Sequence, residues 1–105
     1  MVVTLYLPSK PPRSVRSTGF ALPSPDTGYV SVTTRAAQEL GCSPELVDVL
    51  DCGPDFVAYS IFDYEGEVNS EGTLAVMRWS KHPEVYRDAD SYDQLCGPIL
   101  LVTTS

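Results

Sequence analysis

Cys42, Cys52, His82 and Cys96 carry the donor atoms of a structural zinc site, which needs four thiolate or imidazole ligands closed into a tetrahedron. No two of them stand at the C-x-x-C or H-x-x-x-H spacing that brings ligands onto one knuckle or helix face. The pattern therefore points to unpaired thiols, which commonly pack as small hydrophobes. His82 is also the one imidazole that a cysteine nucleophile could use as its base, and it stands before Pro83 in a turn rather than beside a recognisable nucleophile elbow. The G-x-S-x-G turn of serine hydrolases, the phosphate-cradling G-x-x-x-x-G-K-[ST] loop and the dinucleotide G-x-G-x-x-G pattern are absent from the sequence. A non-enzymatic protein without metal or cofactor is the expectation.

The carboxylates are more numerous than these chemistries need. Asp88, Asp90 and Asp93 fall within six residues, the density a calcium loop requires, but the glycine of the sharp turn and the closing glutamate are missing. Helix capping by Asp90 or Ser91 is the simpler use. Asp63, Glu65, Glu67 and Glu71 could gather a cation or act as general acid and base, yet nothing in their spacing fixes their mutual geometry. A solvated acidic loop accounts for them.

Charge along the chain is polarised. Thirteen of the fourteen carboxylates lie between Glu39 and Asp93, and against Arg78, Lys81 and Arg87 they give that stretch −10. Over residues 1–38, Lys10, Arg13, Arg16 and Arg35 against Asp26 give +3. A formal net charge of −7 disfavours contact with nucleic-acid phosphates or anionic lipid and favours cationic partners.

A chain of 105 residues with 43% hydrophobic composition is the size of one domain with one core, and it needs no disulfide or metal staple. Three cysteines cannot all pair within one chain and do not resemble a secreted disulfide framework, so a reducing, cytoplasmic setting is expected. The apolar run over residues 2–7 is shorter than a signal-peptide core or a membrane span.

These residues must be positioned by short elements. Residues 1–7 read as a strand stopped by Pro8, and residues 8–13, P-S-K-P-P-R, read as an extended connection. The latter also matches P-x-x-P-x-R, a polyproline recognition pattern that arises readily in proline-rich connections. Residues 17–22 suit a second strand, 23–28 a turn and 29–32 a return to extended structure. Thr33 or Thr34 can cap a short helix that Gly41 ends.

Ser43-Pro44-Glu45 has the chemistry of a helix start, and Leu46, Val49 and Leu50 would share one helix face with Glu45, Asp48 and Asp51 on the other. Residues 56–62 and 73–79 read as two strands paired across an acidic hairpin loop at 63–72. A short helix ending at Gly97 and a buried strand over 98–104 complete the chain. The sum is an α+β fold: a single compact domain over residues 1–105, mainly an antiparallel sheet of about five to six strands, with two or three short helices packed on one face.

Function then follows from the acidic block. The expected partner is a basic protein surface, drawn in by charge and held by aromatic contact. The expected binding residues are Glu45, Asp48, Asp51, Asp63, Tyr64, Glu65, Glu67 and Glu71. A sharper version is a nucleic-acid mimic or inhibitor of the kind small viral or mobile-element proteins use, its carboxylates filling a phosphate-binding groove. The alternative is an assembly subunit in which the basic end of one copy meets the acidic block of the next, forming homo-oligomers. A small thiol- or metal-dependent enzyme is the weaker alternative.

Overall fold

The computed structural model describes residues 1–30, 34–81 and 95–104. Among them the elements run β1 (Val2–Tyr6), β2 (Arg13–Val15), α1 (Thr34–Leu40), a single 3-10 turn (Pro44–Leu46), β3 (Val47–Gly53), β4 (Phe56–Ile61), α2 (Ser70–Trp79) and β5 (Ile99–Thr103). The five strands form one sheet in the order β2-β1-β5-β4-β3, every pair antiparallel. The last strand is thus inserted between β1 and β4. All five of its residues, I-L-L-V-T, are buried, as expected of a strand covered on both faces. With a radius of gyration of 12.8 Å, about that of any compact chain of 100 residues, this is a small single α+β domain.

Period-two alternation divides the core into two layers. Val3, Leu5, Val57, Tyr59, Leu100 and Val102 point to one face and pack with Phe20, Ala36 and Leu40, so α1 covers that side. Phe56, Ala58, Ile99 and Leu101 point to the other and pack with Ala75 and Val76 of α2. The helices therefore lie on opposite faces, not on one as expected. Both faces of the central strands are apolar, and one helix alone would leave half of that surface in water.

Helix α1 closes where the sequence said it would. Gly41 takes φ +80, and the amides of Gly41 and Cys42 both donate to the Ala37 carbonyl, at 2.8 and 3.1 Å. The expected helix after Ser43 is instead the 3-10 turn followed by β3. Val49 pairs with Tyr59 and Asp51 with Ala58, which leaves Leu50 unopposed in a β-bulge. Val47 and Val49 reach the α1 layer and Leu50, on the opposite face of the strand, reaches the α2 layer, while the bulge puts Asp51 on the same side as Leu50, opposite Ala58. Apolar residues on both faces of the strand, Val49 on one and Leu50 on the other, together with Leu46 of the turn, reproduce the i, i+3, i+4 spacing of a helix.

Residues 73–79 are helical rather than a strand, despite the β-favouring threonine, valine and tryptophan. Asn69 caps α2, its side chain accepting from the Gly72 amide, with Glu71 in the first turn and Arg78 in the last. The buried positions Gly72, Thr73, Ala75 and Val76 follow a helical stripe. Consequently β4 pairs with β3 and β5, and the 63–72 segment is a strand-to-helix connection whose last three residues already belong to α2.

Within the proline-rich segment 8–13, residues 8–10 turn rather than extend, and Arg13 begins β2. Lys10 donates to the Leu7 carbonyl at 3.2 Å, Ser9 takes φ 58, and Arg13 pairs with Leu5, so β1 and β2 form a hairpin. A left-handed Ser9 is incompatible with a polyproline helix. Asp88, Asp90, Asp93, His82 and most of the expected C-terminal helix lie outside the described residues, as do residues 31–33. Within the described part of that segment, Cys96 forms an isolated antiparallel bridge with Val68.

Candidate functional site

Antiparallel pairing fixes which chain ends are neighbours. Val47 opposite Ile61 and Ser60 opposite Ile99 set the start of β3, the end of β4 and the start of β5 at the same end of the sheet, and Tyr6 opposite Ile99 adds the end of β1. The 3-10 turn, residues 62–69 and residues 95–98 therefore all gather there. The Phe62 amide donates to the Leu46 carbonyl at 2.7 Å, tying the first of these to the second. Glu45 and Asp63 are the immediate chain neighbours of the two bonded residues.

Asn69 holds this end together. It is 1% exposed, and its side-chain nitrogen donates to the Tyr6 carbonyl at 2.9 Å and to the Gly97 carbonyl at 2.8 Å, while its oxygen accepts from the Gly72 amide at 2.9 Å. Its own amide donates to the Leu95 carbonyl at 2.7 Å. The Thr73 hydroxyl donates to the Asn69 carbonyl at 2.7 Å and accepts from the Leu95 amide at 3.0 Å. One side chain thus joins β1, α2 and the segment leading into β5.

Nearby, the Gly97 amide donates to the Glu67 carbonyl at 2.9 Å. The Tyr64 ring lies so close over Gly66 and Gly97 that a β-carbon at either would overlap it. Gly97 has φ +73, so glycine serves both the backbone and the ring there.

The expected binding residues fall into three sets. Glu45, Asp63 and Glu65 are exposed at this end, with Asp63 in the left-handed region at φ 53, which aspartate tolerates better than most residues. Asp48 is exposed on β3 one pairing step inward, opposite Ser60. Tyr64 keeps 42% of its surface exposed beside them.

Glu67 and Glu71 are exposed but sit toward the β1–β2 hairpin. Glu67 accepts from the Ser9 hydroxyl at 2.8 Å, and Glu71 lines an open cleft of about 400 Å³ with Ser9, Lys10 and Ser70. Lys10 offsets part of their charge. Asp51 stands apart from both sets. It is half-buried past the bulge, and its carboxylate accepts from the Cys52 amide at 2.9 Å. The helical stripe of Glu45, Asp48 and Asp51 does not exist, because the residues that carry it form a turn and a bulged strand.

Two large apolar residues at this end lie outside the core. Phe62 is 62% exposed and Leu46 is 41% exposed. The F-D-Y-E run of residues 62–65, aromatic and acidic by turns, is the signal that could have found Phe62.

Basic side chains are partly spent within the chain. Arg13 and Arg35 both approach the Glu39 carboxylate, at 3.3 and 3.5 Å, and the Arg35 guanidinium lies 5.6 Å from the centre of the Phe20 ring. Exposed pairs of this kind are worth about 0–1 kcal/mol each, but they leave fewer cations of the N-terminal segment available to another molecule.

Of the three thiols, Cys42 is poorly suited to act as a nucleophile. Burial pushes the Cys42 thiol above its ordinary value of 9.0, and the nearby Glu45 carboxylate pushes it further, which disfavours the thiolate a nucleophile needs. Among the described residues no group of three or more histidine, cysteine, aspartate or glutamate side chains converges to hold a metal ion. Nor is any described helix long and apolar enough to cross a membrane. Comparison with protein-family models, with curated proteins and with solved structures gives no match to this chain.

Proposed function

We propose that this chain is a non-enzymatic interaction protein whose acidic sheet end binds the basic surface of another protein, recruiting or inhibiting it. The observation that carries the proposal is the meeting of Glu45 with Asp63 and Glu65 at one end of the sheet, where the Phe62–Leu46 bond joins two parts of the chain sixteen residues apart. Exposed carboxylates gathered on one rim steer a cationic partner and speed its encounter. Asp48 extends the rim along the β3 edge, while Glu67, Glu71 and Asp51 contribute mainly to the overall field. Assembly through the basic N-terminal segment is the poorer fit, because Arg13 and Arg35 already engage Glu39.

The test is affinity capture from an extract of the source cells on immobilised full-length chain, alongside a variant carrying Glu45→Lys, Asp63→Lys and Glu65→Lys. All three side chains are exposed, so folding should change little. The wild type should retain one or more basic proteins that the variant loses. An unchanged captured set would remove the proposal.

A further inference from the structure

We propose that the same end of the sheet seats an amphipathic basic segment of its protein partner, one that presents leucine-like or aromatic side chains together with arginine or lysine. This rests on the acidic-end proposal and adds the apolar half of the recognition. Of the eight large hydrophobic residues exposed among the described residues, Phe62 at 62% and Leu46 at 41% are joined here by the Phe62–Leu46 backbone bond, Tyr64 at 42% follows two residues on, and Val68 lies farther off in the cleft beside Ser9 and Lys10. Phe62 and Tyr64 alternate along the chain with Asp63 and Glu65, and Glu45 precedes Leu46. Exposed apolar side chains set among charges of one sign are what a segment with interleaved apolar and opposite charges would complement.

The platform is ordered before anything binds. Tyr64 rests against Gly66 and Gly97, Val68 is bridged to Cys96, Glu67 is held by the Gly97 amide, and Asn69 fixes the end of the segment. Little entropy remains to be lost there on association, which raises the affinity obtainable from a small patch. Phe62 offers an open ring to an arginine guanidinium, whose charge Asp63 and Glu45 would balance. A plain polycation would use the carboxylates and leave Leu46, Phe62 and Tyr64 in water. A nucleic acid would be repelled.

Selection of a random peptide display library on the full-length chain tests this, followed by affinity measurements on synthetic peptides from the enriched sequences. The enriched peptides should combine lysine or arginine with leucine, phenylalanine or similar residues. Their affinity should fall at least about tenfold for Phe62→Ser with Leu46→Ser, and again for Glu45→Lys with Asp63→Lys. Replacing the peptide's own apolar residues by serine should cause the same loss, a comparison that needs no variant of the protein to fold.

Enrichment of purely cationic peptides, or peptides that lose affinity only with charge reversal, would overturn the amphipathic inference and leave the acidic-end proposal standing. Peptides indifferent to charge reversal, or no enrichment, would overturn both.

Discussion

Replacing Asn69 by aspartate should destabilise this protein as severely as replacing it by alanine, although aspartate is as good a helix cap as asparagine. At an exposed cap, Asn→Asp would be neutral, or would gain a few tenths of a kcal/mol from a negative charge at the helix N-terminus. Here the side-chain nitrogen donates to two carbonyls at 2.9 and 2.8 Å, and the residue is 1% exposed. Alanine removes the cap, worth about 1 kcal/mol, and strips a partner from two carbonyls, each costing about 1 kcal/mol or more where buried, for a total of about 3 kcal/mol. In a domain of this size that lowers the melting temperature by about 12–20 °C.

Aspartate keeps the bond from the Gly72 amide but brings a carboxylate oxygen against both carbonyls, so its cost at neutral pH should be at least as large. It should shrink in acid, where the protonated group can again donate one bond. Thermal or urea unfolding of wild type, Asn69→Ala and Asn69→Asp between about pH 4 and 7 measures this. An Asn69→Asp protein within about 0.5 kcal/mol of wild type at neutral pH would refute the assignment of Asn69 as the residue that holds the acidic end together.

Other expectations follow from single residues. Gly97→Ala puts a β-carbon both into a left-handed backbone at φ +73 and into the Tyr64 ring, so urea unfolding should show a loss of about 1–2 kcal/mol or more. Burial raises the Tyr59 phenol above its ordinary value of 10.0, with Cys52 adding to the shift. A folded value above the unfolded one means that the contribution of Tyr59 to stability is whole below about pH 10 and is lost as pH climbs through the raised value. Tyr59→Phe should therefore flatten the alkaline fall in the urea midpoint, and an unaltered slope would contradict the shift. Because the Cys42 thiol is pushed up by burial and Glu45 while Cys52 is exposed, alkylation mapped by mass spectrometry at about pH 8 should label Cys52 well before Cys42.

The parts of the fold that could be read from the sequence were those with one dominant local signal. Strand β5 declared itself through an unbroken apolar run, and α1 through a threonine start and a glycine stop. Strand β3 was hidden because both of its faces carry apolar residues, so that Leu46, Val49 and Leu50 fall at a helical spacing that only the pairing with β4 resolves. Helix α2 was hidden because its β-favouring residues outweighed a cap at Asn69, and the asparagine's second task, bonding carbonyls at positions 6 and 97, leaves no mark in the sequence.

For the site, the residue types were legible and their grouping was not. Glu45 and Asp63 are neighbours only because β3 pairs with β4, and Asp51 left the group because a strand, not a helix, carries it. The exposure of Leu46 and Phe62 was not legible either, because apolar spacing says which residues share a face, not whether that face is covered.

The central claim, that carboxylates at one end of the sheet capture a basic protein, is tested most directly by the affinity of the full-length chain for its purified captured partner as ionic strength rises. The measurement is made for wild type and for the variant carrying Glu45→Lys, Asp63→Lys and Glu65→Lys. Wild-type association should slow and weaken at least about tenfold between roughly 50 and 300 mM salt, as screening shortens the reach of the rim's field, and the variant should bind at least about tenfold more weakly at low salt. An affinity indifferent both to salt and to the three reversals would contradict it.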